Sequence, residues 1–378
     1  MCPNGGEVIV FVCFQHTFIE SRESMLNLSD HFDVLRQRIE PDETRAQFAM
    51  DIPAQVREYL HQHGDLKTIS PHSRLAGSYA RCTAIKDIKD VDLLLTLDRS
   101  YHKKEPEEVL EKVFSVLGGL PEALGSSGKL VIRRHQRRSI NVHIDEQDFD
   151  LDIVPAVAIQ GIEKPLVIPD RDWSRWVKTH PLGYADRLSE LNGKHEDKVV
   201  PLIKLFKHWR DVQMCYRRPK SYWLECLVYQ QISDGKVATK GRSYAELFQL
   251  ILESIAQEFR QDLDSAGKVP AILDPMLGNN VAHNWERAAF ETFMRRIDES
   301  LGWAERALAE DDEDAVALWQ KVFGEEWFPS EVEAQKAARL REAVLAGNLF
   351  VASTGRVTIG RPERQSVQVQ PQRFYGEH

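Results

Sequence analysis

The chain has 378 residues, 42% apolar and 28% charged, which is long for a single core and natural for two packed globular lobes. Its 49 basic side chains fall short of its 58 acidic ones, leaving a net charge of −9. That balance argues against a protein built to hold long nucleic acid, where a basic excess supplies most of the affinity, and favours small substrates.

Five cysteines (Cys2, Cys13, Cys82, Cys215 and Cys226) show no paired spacing, so neither a disulfide framework nor a CxxC zinc site is indicated. The longest apolar run, Val8 to Phe14, is far short of a membrane span and lacks the basic lead of a secretory signal. No membrane segment is expected, and the predicted location is cytoplasmic.

Residues 1–24 read as an upstream extension ahead of Met25, where a helical pattern begins. Phe32, Leu35 and Ile39, then Phe48, Ile52, Val56 and Leu60, recur at three- and four-residue steps. Pro41-Asp42 divides this stretch into two helices, with Asp42 as the N-cap of the second. The pattern then changes to short strands: Arg74–Ala76, Val91–Leu97, Lys129–Arg134, Ile140–Ile144 and Phe149–Val157. A helix over Glu105–Leu117 lies among them, and Leu166–Ile168 adds a strand before Pro169. Ile140, Val142 and Ile144 alternate with Asn141, His143 and Asp145, which predicts a half-buried strand. Arg133-Arg134 and Arg137-Arg138 flank a hairpin turn and, given the acidic total, read as a solvated turn.

Helical periodicity returns over Pro201–Val212, Ser221–Ile232, Tyr244–Phe259, Asn284–Leu308 and Glu331–Ala346. The acidic run Glu310 to Asp314 reads as a solvated helix end or loop. Ser353 to His378 has no apolar face and reads as an exposed tail. The fold class is therefore α+β. A sheet-and-helix domain spans residues 25–200, with a helical spine over 25–65, followed by a helical lobe over 201–350 and a tail over 351–378.

The strongest chemical signal is Gly77-Ser78-Tyr79-Ala80-Arg81-Cys82-Thr83, followed by Asp90-Val91-Asp92-Leu93-Leu94-Leu95. Gly77 lets the backbone approach a ligand, and Ser78 offers a hydroxyl and an N–H at the start of a predicted helix. Asp90 and Asp92, two apart on a strand, project from one face. Adjacent carboxylates repel, so an isolated pair of this kind belongs at a solvated strand end. With Gly-Ser a short distance upstream, the pair instead predicts a Mg²⁺ site completed by substrate phosphates. A two-metal displacement calls for a third acid. Asp148, Asp150 and Asp152 alternate with Phe149, Leu151 and Ile153, and periodicity does not choose among them.

These pieces together resemble the DNA polymerase β-like nucleotidyltransferase superfamily and, more narrowly, the CD-NTase family that includes cyclic GMP-AMP synthase. In that family the third acid opens an Asp-aliphatic-aliphatic-Pro-Ala segment. The resemblance therefore selects Asp152, from Asp152-Ile153-Val154-Pro155-Ala156, and leaves Asp150 in support. The likeness continues through Ile168-Pro169-Asp170-Arg171, Trp176 and Pro181. Cys82 stands where many relatives carry Gly, a departure between two small residues.

In Pro201–Arg210, Leu202, Leu205, Phe206 and Trp209 form an apolar stripe while Lys204 and Lys207 share another face. Ser221 reads as a helix N-cap and Tyr222 as a half-buried aromatic. The resemblance implies that Lys207, Ser221 and Tyr222, and also Lys204, contact the donor nucleotide, with Tyr222 stacked on its base.

The implied activity is metal-dependent synthesis of a cyclic di- or trinucleotide second messenger from nucleoside triphosphates in bacterial anti-phage signalling. Asp90, Asp92 and Asp152 would hold two Mg²⁺ ions, with Mn²⁺ as a substitute. Gly77, Ser78, Lys204, Lys207, Ser221 and Tyr222 would bind substrate. Accessory or effector proteins are implied partners. A double-stranded DNA activator is not expected, because the zinc-containing insertion of the animal enzyme is not recognisable. The alternatives are a linear oligonucleotide synthetase, an RNA-end nucleotidyltransferase, and a non-catalytic nucleotide sensor.

Overall fold

In a computed structural model the chain alternates strands and helices up to residue 179 and is mainly helical from 181 to 345. The structure describes residues 16–86, 90–125, 130–133, 136–264, 267–309, 312–352, 356–360 and 366–369. The apolar run Val8 to Phe14 lies outside them. The first half runs α1 (His16–Ile39), α2 (Glu43–Gln62), β1 (Thr68–Ala76), α3 (Gly77–Ala80), β2 (Asp90–Leu97), α4 (Pro106–Leu117), α5 (Leu120–Ala123), β3 (Leu130–Arg133), β4 (Ile140–Ile144), β5 (Phe149–Val157), β6 (Leu166–Asp170) and β7 (Arg175–Thr179). The second half runs α6 (Pro181–Lys194), α7 (Val199–Gln213), α8 (Ser221–Ser233), α9 (Tyr244–Asp264), α10 (Arg287–Ala309), α11 (Asp312–Phe323), α12 (Glu331–Leu345), β8 (Leu349–Ala352), β9 (Val357–Ile359) and β10 (Ser366–Gln368).

The main sheet has the order β1-β2-β5-β4-β3, with β6 added to β5 and β7 to β6. Among the described residues the β2–β5 pair is the one parallel pair of this sheet; its other pairs are antiparallel. The aspartate-rich strand β5 is therefore interior, where a polar face needs partners, rather than an edge strand wetted by solvent. Val91, Leu93, Leu95 and Leu97 of β2 and Phe149, Leu151 and Ile153 of β5 enter one core with α2 and α4. Strand β4 is buried on both faces instead of the predicted one, because Asn141 and His143 are covered through contacts to the aspartates of β5.

The larger core belongs to the helical lobe, where α7 is buried from Leu202 through Arg210 and packs among α1, α8, α9 and α11. Phe32 of α1 stands edge-on to Trp319 at 5.0 Å, to Phe328 at 5.4 Å and to Phe323 at 5.7 Å. This divides the predicted spine: α1 joins the helical-lobe core, while α2 packs against the sheet. Asp42 caps α2 as expected, accepting the Arg45 N–H at 2.8 Å.

The structure adds elements that the periodicity does not announce, among them the short helix α5, strand β7, and helices α6 and α11. Strand β7 and helix α6 fall in the polar stretch after Pro169, and α11 follows directly from the acidic run. Carboxylates at a helix N-terminus are favoured by its dipole, so that run opens a helix rather than a loop. Helix α1 already begins at His16, ahead of Met25. The expected tail also differs: β9 and β10 both pair with β8, leaving Val357, Ile359 and Val367 exposed on a three-stranded sheet. Among the described residues no helix is long and apolar enough to cross a membrane.

Candidate active site

The site forms where β1 ends against β2. Ala76, the last residue of β1, pairs with Asp92, and Gly77 follows at φ +68°. A Cβ on Gly77 would lie 2.0 Å from Asp92 Oδ2, so only glycine lets the turn and the carboxylate share this space. The predicted helix after Gly77 is a single turn of four residues, α3, too short to present a helix dipole of any size. The turn is closed instead by Thr83, whose N–H donates to the Ser78 carbonyl at 2.9 Å. Cys82 sits at φ +57°, a conformation that favours glycine, so its departure from the family pattern is one of backbone conformation as well as size.

Parallel register places Asp92 opposite Asp152 and Asp90 opposite Asp150. Burial, followed by the charges of Asp152 and Asp90, pushes the Asp92 carboxyl up to about 6, against an opposing pull from Arg81. Burial also raises Asp152, partly offset by the Asn141 amide that donates to its Oδ1 at 2.9 Å. Asp150 is occupied differently, with His143 Nδ1 at 2.8 Å and the other nitrogen of that ring 3.2 Å from Asp145. Asp148 lies outside β5, at φ +46° in the preceding turn.

Among the described residues no three His, Cys, Asp or Glu side chains already converge as a metal cage. The donor set nevertheless suits a hard divalent cation, since it is all carboxylate oxygen, and burial together with neighbouring carboxylates raises Asp92 and Asp152 in the direction a cation would reverse.

Beside the aspartates a cleft of about 280 Å³ is lined by Ser78, Thr83, Lys86, Asp90, Lys207, Arg210, Asp211, Arg218 and Ser221, among others. The sheet side supplies Ser78 and Asp90, while α7 and the start of α8 supply Lys207 and Ser221. Of the predicted residues the cleft thus gathers Ser78, Asp90, Lys207 and Ser221, with Gly77 pressed on Asp92.

Lys204 and Tyr222 are placed elsewhere. Lys204 and Lys207 are both buried rather than on a solvated face, and they diverge. Lys204 donates to both oxygens of Glu40, at 2.8 and 2.9 Å, outside the cleft lining. The Tyr222 hydroxyl donates to Asp274 at 3.0 Å, and its ring meets the edge of Tyr184 at 5.5 Å, also outside the lining.

Arg210, Asp211 and Arg218 line the cleft without having been singled out in the sequence. Arg210 stands three residues after Lys207 on the same helix, a signal that was present, and its Nη1 donates to Ser221 Oγ at 3.0 Å. Asp211 accepts from Arg210 and Arg218, at 2.8 Å each. Of the hairpin arginines, Arg133 is exposed as a solvated turn would have it, but Arg137 and Arg138 are paired. Arg137 and Arg138 donate to opposite oxygens of the buried Asp170, at 2.7 and 2.8 Å, and hold it below the usual carboxylate range against the effect of burial. Arg134 lies outside the described residues.

Residues 26–192 match the family model described as the Second Messenger Oligonucleotide or Dinucleotide Synthetase domain. The chain is 30% identical over 349 residues to the cyclic AMP-AMP-AMP synthase of an Acinetobacter strain, covering 88% of this chain and 96% of that protein. Among solved structures it resembles Escherichia coli CdnC in its complex with HORMA-deltaN, with a TM-score of 0.63 and 18% identity over 79% of this chain and 96% of that one. It also resembles the Bradyrhizobium diazoefficiens CD-NTase CdnG in complex with GTP, with a TM-score of 0.61 and 18% identity over 82% of this chain and 98% of that one. The sheet with its paired aspartates, the helical lobe and these relatives agree: the chain belongs to the CD-NTase family of nucleotidyltransferases.

Proposed function

We propose that the protein joins nucleoside triphosphates into a cyclic di- or trinucleotide second messenger, with Asp90, Asp92 and Asp152 as the catalytic and metal-holding acids. The observation that carries this reading is the register of β2 against β5, which sets Asp92 beside Asp152 while Gly77 makes room for the Asp92 carboxylate. Mg²⁺ or Mn²⁺ held there would offset charge on the departing pyrophosphate and lower the pKa of the attacking hydroxyl. The protein's own groups do the rest. Ser78 from the sheet side and Ser221 from α8 would face the triphosphate across the cleft, with Lys86, Arg210 and Arg218 supplying positive charge along its lining. Asn141 orients Asp152.

By likeness to the Acinetobacter relative, ATP is the first nucleotide to test, and the family extends the proposal to anti-phage signalling with accessory or effector proteins. A nucleotide sensor would have no use for three aligned carboxylates. The test is incubation of purified protein with all four NTPs and Mg²⁺ or Mn²⁺, followed by phosphatase treatment and mass spectrometry. A phosphatase-resistant oligonucleotide, absent from D90A/D92A protein, is expected. A product that phosphatase fully degrades would overturn the cyclic reading.

A further inference from the structure

One fully buried charge has no task in this scheme. Glu225 sits one turn after Ser221 on α8, and an ionised carboxylate out of water needs full pairing. Its Oε2 accepts from Arg81 Nε at 2.8 Å, and its Oε1 accepts from Lys207 Nζ at 2.6 Å and Thr83 Oγ1 at 3.0 Å. Lys207 Nζ also lies 2.9 Å from the Thr83 carbonyl and 3.1 Å from Thr83 Oγ1. An ammonium has three hydrogens, and here three acceptors match them. Thr83 in turn closes the turn that presents Ser78, through its N–H to the Ser78 carbonyl at 2.9 Å. A continuous path of bonds therefore runs from Glu225, which shares a helix face with Ser221, to the backbone of Ser78.

We propose that Glu225 is a positioning residue for nucleotide binding. It holds Lys207 as a buttress beneath the Ser78 turn and so sets the Ser78 and Ser221 walls of the cleft at a fixed spacing. Lys86, over the ring of Trp327, and Arg218, paired with Asp211, are the exposed cations that the cleft offers to the phosphates. This rests on the polyphosphate reading of the cleft and deepens it.

The test compares wild type with E225Q, E225D, T83V and a control, E40Q. The control breaks the pair between Lys204 of α7 and Glu40, just after α1, which lies off the cleft. Each protein is melted to confirm folding, and binding of the non-hydrolysable ATP analogue AMPCPP with Mg²⁺ is measured by calorimetry. E225Q and T83V are expected to bind at least ~10-fold more weakly than wild type, with E225D recovering part of the loss and E40Q within ~2-fold of wild type despite a lower melting temperature. E225Q or T83V binding as well as E40Q overturns the proposal. T83V decides the matter if E225Q does not fold, since it leaves the Arg81–Glu225 pair in place. Wild type that binds AMPCPP but makes no cyclic product would sink the synthase reading alone. Wild type that does not bind it would sink both.

Discussion

Asp92 and Asp152 stand directly opposite each other in the parallel pairing of β2 and β5, and each is raised above the ordinary carboxylate range by burial and by its acidic neighbours. Such a pair is unfavourable in the folded chain for the same reason that it attracts a cation.

Replacing Asp92 with Asn should therefore stabilise the metal-free protein while abolishing synthesis. A carboxyl raised from 3.8 to about 6 penalises the fold fully above the higher value and progressively less as pH falls toward the lower one. At pH 7 the gain in D92N is expected to be on the order of 1–3 kcal/mol, shrinking toward pH 4. Melting curves across that range check the sign. Mg²⁺ or Mn²⁺ should raise the melting temperature of wild type more than that of D92N.

Gly77→Ala places a methyl group 2.0 Å from Asp92 Oδ2 at a backbone angle of φ +68°. Backbone strain of this kind costs about 1–3 kcal/mol, and displacement of the reacting groups should reduce turnover at least ~100-fold. Comparison of product formation with Gly64→Ala, where the space is open, isolates the effect.

Asp150→Asn and Asp152→Asn should separate sharply. Asp152 is aligned with Asp92, whereas Asp150 is engaged by His143. Loss of the Asp152 carboxylate is expected to reduce turnover by ~10³-fold or more, and loss of the Asp150 carboxylate by no more than ~10-fold. Equal losses would place Asp150 among the acids that act on substrate.

Acid should act through Glu225. Burial pushes this carboxyl up, but Arg81 and Lys207 together outweigh it and bring it from 4.5 to about 2. Lys207 bears the other side of the balance, with burial lowering it to about 8 although Glu225 pulls it upward. Because the Glu225 pKa is depressed by folding, the stability it contributes is present above pH 4.5 and lost as pH falls toward 2. Denaturant titrations between pH 6 and 3 should show wild type losing more stability than E225Q.

The sequence made some of this site legible and hid the rest for identifiable reasons. Strand alternation is local, so Asp90 and Asp92 on one face, with Val91 and Leu93 behind, can be read without coordinates. Preference for Asp152 over Asp148 and Asp150 came from family resemblance, because the register between β2 and β5 is set by residues far apart in the chain. Charge pairing was invisible for the same reason. Nothing near Lys204 in the sequence announces Glu40, and nothing near Arg137 shows that it and Arg138 clasp one buried aspartate. Residue type misled at β4, where Asn141 and His143 looked like a wetted face but lie against the aspartates they support.

The packing of α1 into the helical-lobe core has a consequence for how the protein is made. Phe32 and Leu35 leave the ribosome early, while Trp319, Phe323 and Phe328, which complete their core, emerge almost a whole chain later. The sheet between them is built from contacts nearer in sequence and can close first. Helices α7 and α9 cover part of the apolar stripe of α1 before the aromatic residues of α11 arrive, so a message cut short before α11 would yield a chain with an assembled aspartate strand pair and a leading helix still bare where Trp319, Phe323 and Phe328 belong.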